Sequence, residues 1–238
     1  MSTNPPPAGP TLKVLSTLGV MEALRELVPG FEATAGGLRV AAAFAPTKTL
    51  TERIGAGETA DLAVLTDDAV EALTAAGTLA AGSRVALARS FVGVAVRAGA
   101  PKPGIGSAEA FRRALLGAAS VAYSRAGASG IFFAGLIRRL GIEDAVNAKA
   151  VVIPEGLTGE VVARGEAELA VQQVSELMAV PGIDIVGRLP AELAGVTVFS
   201  GGIFAGTRQE GAARALLGFL SSPGNGPVFA AKGLEPVA

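Results

Sequence analysis

The 238-residue chain contains no cysteine and no histidine. These absences exclude thiol nucleophiles, disulfide bonds, imidazole bases and ordinary zinc sites. Acid–base chemistry would therefore have to rely on Asp, Glu, Lys, Tyr or Arg side chains. From this composition we expect neither a metal site nor a cofactor.

The chain also has almost no excess of charge of either sign and few aromatic side chains. The net charge is −1, there is no tryptophan, and one tyrosine stands beside ten phenylalanines. Such a chain is poorly equipped to follow a phosphate backbone or to stack bases, so no nucleic-acid partner is expected. Half of the residues are apolar, but no run approaches the roughly 20 apolar residues that span a bilayer. Membrane insertion is therefore not expected.

The first eleven residues, MSTNPPPAGPT, are rich in proline and polar side chains. We predict that residues 1–11 are disordered. They lack the charged and apolar regions of a secretory signal. Two interpretations stay open: the protein is cytoplasmic as written, or it is periplasmic and its native signal has been removed.

Predicted strands and helices alternate at short intervals in the first third of the chain. Apolar runs at 12–16, 38–44 and 60–65 predict strands, and the spacing over 18–27 predicts a helix that stops at Pro29-Gly30. A β-α-β-α-β-α order of this kind predicts a mainly parallel sheet with helices on both faces.

Two longer extended segments, 84–96 and 196–204, have no helix within them and predict strands that cross between lobes. The fold class is therefore α/β with two lobes, each a mainly parallel sheet flanked by helices. The predicted first lobe comprises 12–88 and 200–238, and the second comprises 89–199 with the hinge strands.

Three predicted strands end in small, polar turns that lead into helices. The segment 121–133, VAYSRAGASGIFF, is the clearest. The first N–H groups of a helix lack partners and its dipole favours negative charge, so such turns are anion sites. Because ligands of open α/β sheets bind beyond the carboxyl ends of the strands, we expect these turns to meet in the cleft. The polar candidates in the three turns are Ser16, Thr17, Thr47, Lys48, Ser124, Arg125 and Ser129.

The order of the segments LSTLGVMEAL, FAPTKTL, ADLAVLTDDAVEAL, GEAELAVQQVSEL and FLSSPGNGPVFAAKGLEP resembles the molybdate-binding branch of the periplasmic solute-binding proteins. The resemblance covers nearly the whole chain and implies a type II periplasmic-binding-protein fold. It also implies an ABC-transporter permease as partner if the protein is exported. In that family neutral donors hold an oxyanion, and the matching positions here are Ser16, Thr47, the amides of Ser129 and Leu157, and Gln173 in place of a tyrosine.

Two cations depart from the family pattern. Arg125 can engage a carboxylate through two parallel hydrogen bonds, and Lys48 can act as a point charge. We therefore expect a small di- or tricarboxylate rather than molybdate. Ser16 and Thr47 are also good helix N-caps, a purely structural alternative. Of Gln172 and Gln173, only one can face the cleft, and we favour Gln173.

Two functions remain open at this point. The first is a binding protein that closes two lobes on a small anion. The alternative is a cofactor-free isomerase that moves a proton within an unsaturated polycarboxylate, because aconitate isomerase resembles the same group. No residue is identified as the base, and Glu155 and Glu176 are more often solvated or capping than catalytic. The candidates for a catalytic role are Lys48, Arg125, Glu155 and Tyr123.

Overall fold

A computed structural model describes residues 9–237, so most of the predicted disordered segment 1–11 lies outside the described residues. The strands are β1 (Thr11–Ser16), β2 (Arg39–Phe44), β3 (Leu62–Thr66), β4 (Val85–Arg97), β5 (Val121–Ser124), β6 (Ala150–Ile153), β7 (Leu169–Gln173), β8 (Ile183–Arg188), β9 (Val196–Ile203) and β10 (Glu235–Pro236). The helices are α1 (Met21–Thr34), α2 (Thr47–Gly55), α3 (Asp67–Ala75), α4 (Ala108–Gly117), α5 (Ala128–Arg139), α6 (Glu143–Asn147), α7 (Thr158–Ala163), α8 (Val174–Leu177), α9 (Glu210–Leu220) and α10 (Gly226–Ala231). Short 3₁₀ turns precede α1 and α10, at Leu18–Val20 and Pro223–Asn225.

The strands form one continuous sheet in the order β2-β1-β3-β9-β4-β7-β5-β6, and β8 and β10 also pair with β4. In the first half of this order, β2, β1 and β3 are parallel, and β9 is antiparallel to β3. In the second half, β7, β5 and β6 are parallel, and β4 is antiparallel to β7. The expected α/β fold with two mainly parallel halves is confirmed.

The two predicted crossings are the strands β4 and β9. The first half of β4 pairs with β9 and β10, and its second half pairs with β7 and β8. Ser90 on β4 lies opposite Thr197 on β9, and Val92 lies opposite Gln173 on β7. Paired residues in an antiparallel ladder share a face, so Ser90, Thr197 and Gln173 lie on the same side of the crossing.

Apolar side chains form separate cores on the two sides of the crossing. Leu24, Leu62 and Phe199 belong to the first lobe's core, and Phe111 and Phe133 belong to that of the second. Each lobe thus buries its own hydrophobic surface, which leaves the facing strand ends available for a site. No helix among residues 9–237 is both long and apolar enough to cross a membrane.

The first helix is longer than predicted. Helix α1 does not stop at Pro29-Gly30 but continues to Thr34, with Pro29 inside it. A proline within a helix removes one backbone hydrogen bond and costs about 3 kcal/mol. The extra turn buries Phe31, whose ring centroid lies 5.6 Å from that of Phe219 on α9. This tertiary contact offsets the cost, and residue spacing alone does not reveal it.

Candidate ligand-binding site

The turn between β5 and α5 is built around Ser124. The backbone N–H of Gly127 donates to Ser124 Oγ at 3.2 Å. A Cβ at Gly130 would lie 1.7 Å from the Ser124 carbonyl oxygen, so only glycine fits there. The chain therefore folds back tightly, and the first turn of α5 starts directly beyond the end of β5.

Ser129 lies in that first turn and is 1% exposed. Its hydroxyl has no hydrogen-bond partner among the residues that the structure describes. Helix α5 has 12 residues, so its N-terminus carries unpaired N–H groups and a full dipole. A buried hydroxyl without a partner at such a position is suited to donate to an anion.

The turn after β1 carries two further hydroxyl groups, at the carboxyl end of a strand of the first lobe. Ser16 and Thr17 are both buried. Ser16 Oγ donates to the Thr17 carbonyl at 3.2 Å, and the Thr17 N–H donates to the Val64 carbonyl at 2.8 Å. Neither side chain caps the following turn. The structural alternative of N-capping therefore does not account for Ser16.

Thr47 opens α2 at the end of β2. It is buried, and its Oγ1 accepts a long hydrogen bond of 3.4 Å from the Thr66 N–H. Pro46, rather than a hydroxyl side chain, occupies the N-cap position. Thr47 thus connects the ends of β2 and β3 instead of capping α2.

The two cations expected at the site have different surroundings. Lys48 forms an ion pair with Glu52 one turn along α2, and its side chain is 55% exposed. Arg125 is exposed beside Ser124 and Tyr123, around a cavity of about 450 Å³. Arg125 forms no ion pair with any residue from 9 to 237. Of these two cations, Arg125 is the one whose charged group is available to a ligand.

Gln172 holds the loop between β6 and α7. Its Oε1 accepts from the Thr158 N–H at 2.7 Å and from Thr158 Oγ1 at 2.9 Å, and its Nε2 donates to the Gly156 carbonyl at 2.9 Å. Leu157 lies between these two anchored residues, and its N–H donates to no other described residue. The bonds fix the loop that presents the Leu157 amide.

Gln173 points to the crossing strands. Its Nε2 donates to Thr197 Oγ1 at 2.9 Å, while its Oε1 is buried without a partner in the described part of the chain. Gln172 and Gln173 are successive strand residues and project to opposite faces, as the period of two requires. Gln172 therefore supports the loop, and Gln173 reaches the base of the cleft.

Glu176 was not among the candidates, and it is the most unusual charged residue near the site. It is 6% exposed, and burial raises the pKa of its carboxyl to about 8, although hydrogen bonds from the Gln173 backbone and the Gln172 side chain lower it. Its Oε2 accepts from the Gln173 N–H at 3.3 Å. A Glu three residues after a polar N-cap is a capping-box signal that the sequence does contain.

The other two catalytic candidates lie in lobe 2. Tyr123 Oη donates to Asn147 Oδ1 at 2.8 Å, and burial raises the pKa of the phenol. Glu155 is exposed on the β6–α7 loop. The pKa of Arg53 on α2 is raised mainly by hydrogen bonds to Glu58, with a smaller effect from Glu155. The charge of Glu155 in the second lobe thus acts on Arg53 in the first lobe.

An opening of about 380 Å³ separates the lobes next to α5. Thr66 and Asp67 line it from the first lobe, Ala128 and Ile131 from the second, and Thr197 from the crossing. The pKa of Asp67 is lowered, first by its hydrogen bond to Arg84 and further by Ser200. The negative charge of Asp67 is thus compensated within lobe 1, whereas Asp68, which also lines the opening, forms no ion pair with any residue from 9 to 237.

The two-lobed fold matches known proteins over nearly the whole chain. A family model described as "Bacterial extracellular solute-binding protein" matches residues 12–235. The chain belongs to this family.

One sequence relative and two solved structures agree with this assignment. An aconitate isomerase from a Pseudomonas species is 42% identical over 233 residues, covering 95% of this chain and 88% of that protein. The periplasmic molybdate-binding protein of Azotobacter vinelandii has a TM-score of 0.76 at 20% identity, covering 95% of this chain and 99% of the other. The sulfate-binding protein SubI of Mycobacterium tuberculosis has a TM-score of 0.73 at 18% identity, covering 96% of this chain and 88% of the other. The two structures establish the type II periplasmic-binding-protein fold.

Proposed function

We propose that this solute-binding family member takes a small polycarboxylate between its lobes and isomerises it, with aconitate as the substrate. The observation that carries the proposal is the 42% identity, over 95% of the chain, to a protein named aconitate isomerase. The oxyanion-binding neighbours are 20% identical or less and support only the fold.

The donors at the site suit separated carboxylates. Ser129 offers a buried, unpartnered hydroxyl at the N-terminus of α5. The Leu157 amide directly precedes α7 and Gln173 ends β7, both in the second lobe, and Ser16 ends β1 in the first lobe. Arg125 adds a guanidinium that can hold one carboxylate through two parallel hydrogen bonds. Neutral donors and one cation together fit an anion with several charged groups.

The reaction requires only the movement of one proton. A base removes a proton from the methylene carbon of aconitate, and the electron pair spreads over the allylic system between the carboxylates. The double bond shifts, and the proton returns to the carbon that was vinylic. No oxidant, reductant or cofactor is needed. Positive charge and N–H donors lower the barrier by stabilising the enolate-like anion.

Glu155 is the base in this proposal. Lys48 is engaged with Glu52, and the Tyr123 phenol donates to Asn147 and has a raised pKa. Arg125 is a permanent cation and cannot accept a proton at ordinary pH. Glu155 is an exposed carboxylate on the loop that carries Leu157, and its charge acts on Arg53 of the opposite lobe.

The test measures conversion of cis-aconitate to trans-aconitate by proton NMR with the purified chain. Glu155→Gln is expected to lower the turnover number at least about 100-fold, the usual contribution of a general base. It is expected to leave the ligand-induced thermal shift in place. Glu160→Gln, an exposed carboxylate on α7, is the matched control and should react like the wild type. Wild-type protein that binds aconitate without converting it would refute the isomerase.

Binding without turnover is the second candidate, and membership in a solute-binding family favours it. In that case the chain would deliver a polycarboxylate to an ABC-transporter permease and would work outside the inner membrane. A thermal-shift comparison of aconitate, citrate, molybdate, tungstate and sulfate separates the ligands. Ligand at a hundred times Kd adds roughly 2.7 kcal/mol of stability. A response to molybdate or tungstate alone would refute both carboxylate proposals.

A further inference from the structure

A carboxylate of the first lobe lines the opening between the lobes. Asp68 is the second residue of α3 and lies at the opening of about 380 Å³ that both lobes and the crossing line. The residue is exposed. It forms no ion pair within the described range 9–237. Asp68 is therefore available to a molecule that enters this opening.

The other charged side chains near the start of α3 are engaged with one another. Asp67 accepts hydrogen bonds from Arg84 Nε at 2.8 Å and from the Ser200 hydroxyl. Arg84 also donates to Glu71 at 3.3 Å. The strands against which α3 packs, β3 and β9, carry no charged residue. Of the two adjacent acids, Asp67 thus belongs to the scaffold, and Asp68 is left for a ligand.

The opposite wall of the opening is the first turn of α5. Ala128, Ile131 and Phe132 line it there, and Ala128 is the first residue of that helix. The N-terminus of a helix has unpaired N–H groups that attract a carboxylate. A carboxylate held at α5 therefore places the carbon atoms next to it in the opening, with Asp68 on the other side.

The proposed reaction moves protons at two different carbon atoms. The methylene carbon of aconitate loses a proton and the vinylic carbon gains one, and a third carbon lies between them. A single carboxylate would have to reach both carbons, whereas two carboxyl groups can each serve one. Glu155, the proposed base, lies between β6 and α7 in the second lobe, and Asp68 lies on α3 in the first.

We propose that Asp68 is a second catalytic residue, a general acid that delivers a proton to the carbon that was vinylic. This inference rests on the proposed isomerisation of aconitate. The methylene C–H bond breaks, its proton goes to Glu155, and the electron pair moves through the allylic system. The O–H bond of Asp68 then breaks, and its proton forms the new C–H bond. The charges of the bound substrate favour the protonated form of Asp68 beforehand, because like charges repel.

Proton exchange with water restores the two carboxyl groups. After one turnover Glu155 has gained a proton and Asp68 has lost one. Both residues are exposed, so each returns to its starting state by exchange with the solvent. The reaction consumes no net proton, and the proton that arrives is not the one that left. In D₂O the new methylene group therefore receives a deuteron from the solvent.

Proton NMR of cis-aconitate in D₂O separates the two proton transfers. The wild type is expected to form trans-aconitate with one deuterium in its methylene group. Asp68→Asn removes the acid and should lower the rate of isomerisation at least about 100-fold. The methylene protons of unreacted cis-aconitate should still exchange for deuterium, because Glu155 can remove a proton and return a deuteron to the same carbon. Glu155→Gln should stop both processes.

Two further variants accompany this measurement. Asp68→Glu keeps a carboxyl group and should isomerise at least about tenfold faster than Asp68→Asn. Asp144→Asn is the matched control, because Asp144 is likewise the exposed second residue of a helix, α6, and has no ion pair in the described part of the chain. It should isomerise and exchange like the wild type.

Two results would overturn the inference. The first is an Asp68→Asn protein that isomerises at the wild-type rate. The second is a folded Asp68→Asn protein in which isomerisation and methylene exchange fall by the same factor, which is what a merely structural role produces. A wild type that does not convert cis-aconitate would refute the proposed function and this inference with it. Equal conversion by the wild type and Asp68→Asn would refute this inference alone.

Discussion

Replacing Glu176 by glutamine should stabilise the folded protein relative to the wild type, and this difference should grow as the pH rises. Burial raises the pKa of the carboxyl from its ordinary value of 4.5 to about 8 in the folded chain. The folded state therefore keeps a proton that the unfolded state releases between these values. Stability from this group is complete below pH 4.5 and is lost progressively up to about pH 8.

The size of the effect follows from the same two values. Each pH unit in this window lowers the free energy of unfolding by about 1.4 kcal/mol, for a total of about 5 kcal/mol. Glutamine fills the same volume, can accept from the Gln173 N–H and does not ionise. The advantage of Glu176→Gln over the wild type should therefore grow to several kcal/mol at pH 8.

Urea denaturation of both proteins at about six pH values from 4.5 to 8.5 measures this difference directly. Groups that titrate identically in the two proteins cancel in the difference, so the slope belongs to Glu176. Glu160→Gln, on exposed α7 surface, should give a difference close to zero at every pH. A flat difference between the wild type and Glu176→Gln would show that the carboxyl is not buried as an acid, and the reasoning would fail.

Three further changes test the site and its scaffold. Ser129→Ala removes a hydroxyl that has no partner in the described residues. The free energy of unfolding of the ligand-free protein should therefore change by less than about 1 kcal/mol. Calorimetry should show that aconitate binding is weakened by about 1.5–3 kcal/mol. Gly130→Ala places a Cβ against the Ser124 backbone and should lower the free energy of unfolding by about 3 kcal/mol or more. Gly135→Ala is the control, because the space around Gly135 on the same helix is open. It should raise the free energy of unfolding by about 0.5–1 kcal/mol, and thermal unfolding measures both changes. Arg125→Ala should weaken aconitate binding by about 1.5–3 kcal/mol, and Lys48→Ala, which only loses an exposed ion pair, should change it by less than about 0.5 kcal/mol. Equal losses in the two cation variants would contradict the assignment of the ligand contact to Arg125.

Most of the fold could be predicted because its signals are local. The strands predicted at 12–16 and 38–44 are observed at Thr11–Ser16 and Arg39–Phe44, because apolar runs that end in polar turns mark them in the sequence. Ser107 caps α4 by accepting from the Ala110 N–H, as its position before the helix indicates. The continuation of α1 through Pro29 could not be predicted, because it depends on a ring contact with α9 near the other end of the chain.

Some features of the candidate site could likewise be predicted from the sequence, and others could not. The turns that carry Ser16 and Ser129 follow from strand-to-helix boundaries and could be found from the sequence. The ion pair of Lys48 with Glu52 was also readable from the spacing of four residues on one helix. The raised pKa of Glu176 could not be predicted, because it depends on burial of the carboxyl, and α8 packs against β4 and the 3₁₀ turn Leu18–Val20 of the first lobe.

The crossing by β4 and β9 determines the order in which the lobes can be completed during synthesis. The second lobe is one contiguous stretch of chain, so its parallel strands can pair as soon as that stretch has left the ribosome. The first lobe has to wait, because Leu62 on β3 pairs with Ile203 on β9, and the chain is made from its N-terminus. Until then one edge of β3 stays open, an unpaired template for other strands. Such distant pairing slows folding, and the nascent first lobe is the part of this protein that a chaperone would have to protect.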